Sequence, residues 1–155
     1  MNKANGSNYS TYKRYYELIL GANAVLDYIQ DINDDDVNMV NYVTAQALTL
    51  RAFYYLTLVN IFGAPYNQDK TAMGVPLKLN SGVEQKDLAR NSVEEVYAQI
   101  IKDLDEAGRL YHLLPEDQQW DANYRTSLPM VHLLLSRAYL YMEEWNKAAI
   151  YAGSV

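Results

Sequence analysis

Leu50-Arg51-Ala52-Phe53-Tyr54-Tyr55 is the stretch that decides the fold, because Ser136-Arg137-Ala138-Tyr139-Leu140-Tyr141 repeats its Arg-Ala-aromatic core further along the chain. In each word a small residue sits beside large ones, the composition two helices need to approach closely and fill the gap beside their contact. A unit that recurs in this way cannot bury its apolar face alone and must stack on a neighbour, so the chain reads as a helical repeat. Phe62-Gly63-Ala64-Pro65 follows the first word. Its glycine offers a C-terminal stop and its proline blocks continuation of the helix.

The first word falls in a helix predicted over about 36–62. Val43, Ala47, Leu50, Tyr54, Leu58 and Ile61 form one apolar stripe, and Leu48, Ala52, Tyr55, Val59 and Phe62 a second. A helix apolar on two sides is sandwiched between others, so this one is expected to be the longest and most buried. Before it, Tyr12, Tyr15, Tyr16, Ile19, Asn23, Leu26 and Ile29 recur at steps of three and four, predicting a helix over about 11–31 whose face includes one polar member, Asn23. Asn33 to Asp36 breaks the period and supplies carboxylates suited to cap the helix that follows.

Residues 63–91 lack a helical period and are rich in turn formers, so they are expected to form a long ordered loop, with Gly74 to Leu79 extended. Loops of that length are usually functional or pinned to another part of the molecule. Ser92-Val93-Glu94-Glu95 is a capping box, and it opens an amphipathic helix predicted over about 92–110. A second loop covers Pro115 to Arg125. A fourth helix is expected over about 127–143, with Pro129 in its first turn, and a fifth over about 146–155. The expectation is therefore an all-α chain of five helices forming a single helical domain over 1–155, with no more than two short strands. Leu135-Ser136-Arg137-Ala138-Tyr139, the turn at Glu143-Glu144-Trp145, and Lys147-Ala148-Ala149-Ile150-Tyr151-Ala152 follow a tetratricopeptide layout. An earlier unit pairs the Tyr42–Phe62 region with the Val93–Leu110 region, and the long loop is inserted inside it.

Composition narrows the function. The chain has 155 residues, half of them apolar, enough for one buried core. Thirteen basic residues face nineteen acidic ones, giving a net charge of −6 with no Lys/Arg run to track phosphates, so nucleic acid is not expected as a partner. No stretch approaches the roughly 18–20 apolar residues that span a bilayer, and the polar first residues are unlike the apolar core of a signal peptide. Without cysteine there is no disulfide, thiolate ligand or lipidated thiol in this sequence. Fifteen tyrosines are the compositional oddity, and those on helix stripes read as core fillers whose hydroxyls need partners.

Several words, in order, resemble the SusD/RagB family of outer-membrane nutrient-binding lipoproteins. They are Tyr16-Glu17-Leu18-Ile19 with Ala22-Asn23, the Leu50–Tyr55 word running into Phe62-Gly63-Ala64-Pro65, Gly74-Val75-Pro76-Leu77, Arg90-Asn91-Ser92-Val93-Glu94-Glu95-Val96-Tyr97, Leu113-Leu114-Pro115, and Leu134 to Tyr141 ending at Trp145-Asn146-Lys147-Ala148-Ala149. The resemblance covers about Tyr12 to Val155. Pro129-Met130-Val131-His132 departs from the small, Ala-rich start usual for the fourth helix. The resemblance implies a non-catalytic role in glycan or nutrient capture and uptake, at the cell surface of the outer membrane, beside a TonB-dependent (SusC-like) transporter. Family members begin with a lipidated cysteine after a signal peptide and are longer, so the chain reads as their amino-terminal helical part. The alternative is a general tetratricopeptide-like scaffold for a protein partner, which has no need of the long insertion or of Phe62-Gly63-Ala64-Pro65.

Candidate sites follow from residue chemistry. Trp120 and Tyr124 could stack on a sugar face while Asp121 and Asn123 bind its hydroxyls, and Tyr66 with Asn67 is a second such place; against this, aromatic loop residues often serve as anchors. Since the glycan contacts of the resembled family come mainly from other segments, weak or undetectable binding is expected of this chain alone. Arg51 and Arg137 are expected to snorkel or to tie helices through a carboxylate. Asp31, Asn33 and Asp35 alternate as in a calcium loop, but Asp36 stands where glycine is needed and Tyr42 where a bidentate Glu is needed. His112 and His132 are far apart in sequence with no ligand spacing, so neither a metal nor another cofactor is expected. No nucleophile–base set or paired-carboxylate motif is apparent. Around Tyr139, Tyr151 and Ala152, where the last unit lacks a cap, an exposed apolar patch is expected.

Overall fold

The computed structural model describes residues 3–32, 36–83, 88–119 and 125–155, with the side chains of residues 3–9 and 30 outside that description. Among the described residues the chain is helix and loop: α1 (Lys3–Tyr28), α2 (Val37–Phe62), α3 (Val93–His112), α4 (Glu116–Gln119), α5 (Leu128–Tyr141) and α6 (Trp145–Ala152), with a 3-10 turn at Ile29–Asp31. α2 packs between α1 and α3, α5 packs on α3, and α6 on α5. This is the all-α repeat that the two words imply.

Differences from the periodicity have local causes. α1 begins at Lys3 rather than near Thr11, since extending a helix needs only one more backbone bond per residue and no apolar face. It is thus as long as α2, at 26 residues each. A sixth helix, α4, forms inside the Pro115–Arg125 loop, with Glu116 and Asp117 in its first turn facing the helix dipole favourably. α5 stops at Tyr141 with Met142 as C-cap, and Glu143 adopts a left-handed φ of 61° to turn the chain into α6. No strand ladder forms at Gly74 to Leu79; the described residues hold one isolated bridge, Met73 to Ser92.

The caps explain the helix starts. Asp36 accepts from the Met39 amide at the head of α2, while Ser92 and Glu95 exchange side-chain and backbone bonds at the head of α3. Asn33 and Asp35 lie outside the described residues. At the end of α2 the Gly63 amide donates to Val59 O at 2.8 Å. Gly63 has an extended φ of −97°, so its glycine is required by space: a Cβ there would sit 2.7 Å from Val59 O.

Of the first stripe on α2, Ala47 and Leu58 are buried and Ile61 is exposed; of the second, Leu48, Ala52, Tyr55 and Val59 are buried. The second set meets Val93, Val96, Tyr97, Ile100 and Leu104 of α3 in one cluster that continues through Val131, Leu135 and Ala138 of α5. Ala52 and Ala138 are both fully buried, as two close helix contacts require. The exposed apolar side chains at the far end include Leu133, Leu140, Tyr141, Trp145, Ile150, Ala152 and Val155 but not Tyr139, which is buried and stacked on Tyr151 at 5.7 Å. Aromatic stacking thus removes Tyr139 from the expected patch. No described helix is long and apolar enough to cross a membrane.

Candidate functional site

The long insertion is held by polar groups that the helices carry into their own core. Arg51 on α2 forms a two-pronged bond to Asp103 on α3, Nε to Oδ2 and Nη2 to Oδ1 at 2.8 Å each, with both side chains buried. Its Nη1 donates to Asn23 Oδ1 on α1 at 2.9 Å, and Gln99 Nε2 donates to Asp103 Oδ1 at 2.7 Å. Asn23 in turn donates to the carbonyls of Lys78 at 2.8 Å and Asn80 at 3.1 Å. The polar interruption in the face of α1 is therefore the point at which three helices grip the insertion. A paired, fully bonded buried charge is the arrangement that low dielectric tolerates.

Tyrosines complete the grip. Tyr55 both donates to Lys78 O and accepts from Lys78 N, at 2.7 Å each, and Tyr16 donates to Pro76 O at 2.7 Å. Asp27, one turn beyond Asn23, accepts from the Ser81 amide at 2.6 Å and hydroxyl at 2.7 Å, and these bonds hold its carboxyl below the usual carboxylate range. Arg90 closes the base of the loop, donating to Gly74 O at 2.6 Å and Phe62 O at 2.8 Å. Tyr111 does the same for the second loop, donating to Thr126 O at 2.8 Å. Burial pushes the hydroxyls of Tyr55 and Tyr111 up to about 12, and raises Tyr16 and Tyr97 further. Each ring fills the core and each hydroxyl reaches past it, which accounts for part of the tyrosine richness.

Trp120, Asp121, Asn123 and Tyr124 lie outside the described residues. At the root of their loop a pocket of about 300 Å³ is lined by Asp36, Asn38, Met39, Tyr42, Asp117, Gln118 and Arg125. Tyr66 and Asn67 line a separate pocket of about 300 Å³ with Asn60, Ala64, Pro65 and Tyr141. Tyr66 leans on Tyr97 with ring centroids 4.9 Å apart, Tyr97 donates to Asn60 Oδ1 at 2.9 Å, and Asn67 donates to Glu143 Oε1 at 3.0 Å. Aromatic rings and side-chain amides line this small concavity, beside the Glu143 carboxylate that Asn67 bonds. The left-handed Glu143 is thereby tied to the long loop.

The remaining motif residues divide. Phe62 packs edge-on against Tyr12 at 5.2 Å, and Ala148 is buried where Ser136 donates to its carbonyl at 2.9 Å. Arg137 and Trp145 are exposed, and among the described residues Arg137 bonds Tyr141 on its own helix, at 3.4 Å. Of the two alternatives for these arginines, Arg51 ties two helices through a carboxylate, and Arg137 keeps its head in solvent. One juxtaposition escaped the sequence reading: His112 and His132, on α3 and α5, stand with ring centroids 6.4 Å apart.

The fold defines a tetratricopeptide-like protein whose first unit carries a pinned insertion. The profile of a SusD-like family, described as starch-binding associating with outer membrane, matches residues 1–140, and the chain belongs to that family. It is 30% identical to SusD-like protein P2 of Formosa agariphila over 155 residues, covering 96% of this chain and 27% of that protein. A SusD-like carbohydrate binding protein from Bacteroides vulgatus superposes with a TM-score of 0.84 at 35% identity, over 96% of this chain and 31% of that one. A laminarin-binding SusD-like protein superposes with a TM-score of 0.71 at 29% identity, over 92% of this chain and 28% of that one. The chain thus spans under a third of the length of each of these relatives.

Proposed function

We propose that the chain serves glycan capture and uptake at the outer-membrane surface as the helical part of a non-catalytic binding lipoprotein that pairs with a TonB-dependent transporter. The observation that supports this most is the family match across residues 1–140. The carbohydrate-binding and laminarin-binding relatives share the fold over 96% and 92% of this chain. In this reading the pinned insertion makes the first unit a rigid body. Tyr66 and Asn67, and Trp120 with Asp121, Asn123 and Tyr124, are the sugar-contact candidates. The extended helical surface serves the transporter, since protein contacts depend on shape over a broad packed face.

The test is calorimetric titration of starch-type and laminarin-type oligosaccharides into the chain, beside Tyr66→Ala and Trp120→Ala, with affinity electrophoresis in the matching polysaccharides to read weak association. Weak retardation or none, without a submillimolar isotherm, is the expected result for this chain alone. Migration unchanged in every polysaccharide would remove Tyr66 and Trp120 as contacts and leave the sugar to segments outside this chain. Submillimolar binding abolished by Trp120→Ala would make that loop, rather than segments beyond this chain, the principal platform.

A further inference from the structure

We propose that His112 and His132 form a two-imidazole site for a divalent transition-metal ion of square-planar or tetragonal preference, Cu²⁺ or Ni²⁺, bridging α3 to α5. His112 is the last residue of α3 and His132 lies early in α5, so the fold brings together two rings that the sequence separates by a loop and a short helix. The centroids are 6.4 Å apart and the planes inclined at 44°. With metal–nitrogen bonds of about 2.0–2.1 Å, two imidazoles sharing one ion stand about 5 Å apart, centroid to centroid, when cis or tetrahedral and about 6 Å or a little more when trans, so the observed separation is that of a trans pair, as square-planar or tetragonal ions take.

The protonation state of both rings follows from their neighbours. His112 Nδ1 stands 2.7 Å from Gly108 O, and His132 Nδ1 stands 2.9 Å from Ser154 O. A carbonyl oxygen can only accept, so each Nδ1 carries a proton, and the nitrogen left for a metal on each ring is Nε2. This is the outer-shell arrangement that fixes the tautomer and raises the basicity of metal-bound histidine. The cation nearest along α3 is already neutralised, since Arg109 is bonded to Glu106 at 2.8 and 2.6 Å. No group of three or more His, Cys, Asp or Glu suited to a metal occurs among the described residues, so water completes the coordination and Cu²⁺ is held most tightly. Because His132 also bonds the backbone beyond α6, an ion here fastens the ends of α3, α5 and α6 together. The site exists only in the folded chain, so the ion raises thermal stability. The inference is independent of the glycan reading.

Titration of Cu²⁺ into the 155-residue chain, followed by calorimetry and by electron paramagnetic resonance, tests it beside His112→Asn and His132→Asn. Asparagine keeps a donor for the backbone carbonyl and removes Nε2. The expected result is one ion per chain with two imidazole nitrogens in its spectrum, and a loss of affinity of about tenfold or more in each variant, with one nitrogen remaining. The metal-free melting temperature of the His112→Asn variant stays at the wild-type value, because His112 is exposed. Affinity unchanged by either substitution, as for binding at the terminal amine, or two independent ions each with a single imidazole, would overturn the assignment.

Discussion

Arg51 and Arg137 occupy the same place in two copies of one word, yet one is buried in a bonded cluster and the other lies in solvent. The alanines beside them behave alike, both fully buried. Tyr55 is fully buried and holds the insertion, whereas its counterpart Tyr141 is 39% exposed at a pocket rim. A repeated word therefore sets the phase of a helix, because small residues must face the close contact. It does not set the role of the residues beside that contact. Those depend on what the second helix and the loop bring: the first unit has Asp103 and an insertion, and the second has neither at Arg137.

The comparison is broken most strongly at the buried charge. Arg51→Ala or Asp103→Ala leaves its partner buried and uncompensated, and should cost about 3–5 kcal/mol in urea denaturation. Arg137→Ala should stay within about 0.5 kcal/mol. Equal losses at the two arginines would show that the units are energetically alike.

Next in size is the feature they share. Ala52→Trp and Ala138→Trp each overfill a close helix contact and should cost about 1–3 kcal/mol or more, read from the same denaturation curves. Tyr55→Phe keeps the ring and removes the acceptor of the Lys78 amide together with one donor to the Lys78 carbonyl, which keeps its bond from Asn23, for a loss of about 1–3 kcal/mol, whereas Tyr141→Phe should be neutral.

A further expected effect is on alkaline stability. Burial raises the folded-state hydroxyls of Tyr55 and Tyr111 to about 12 from the ordinary value of 10.0. A group whose folded value is raised contributes stability that is fully present below about pH 10 and lost as pH rises through about 12. Tyrosinate absorbance should accordingly show the exposed tyrosines ionising first and these two only near the unfolding transition. Ionisation of all tyrosines in one step near pH 10, with the fold intact, would contradict their burial.

Much of the scaffold is legible in the sequence because it rests on local chemistry. Ser92 and Glu95 specify their cap within three residues, and the alanines of the two words specify the contacts. Asn23 was visible as a polar residue on an apolar face, but its reason was not, since Lys78, Asn80 and Arg51 reach it from 28 or more residues away. Nothing in the spacing of Asp103 marks it as the buried partner of Arg51. Spacing rules also missed His112 and His132, because they meet across a helix pair rather than along one helix. The start of α1 carries no apolar period at all, so pattern could not place it.

The account holds that residues 74–81 belong to the core of the first unit as firmly as α2 does. Native-state hydrogen exchange tests this most directly, at the amides of Gly74, Leu77, Lys78 and Asn91, which bond to Asn91 O, Asn91 Oδ1, the Tyr55 hydroxyl and Val75 O. Protection equal to that of the α2 core amides, and lost together with it in the Asp103→Ala variant, is the predicted result. Free exchange at these four amides while α2 remains protected would contradict it.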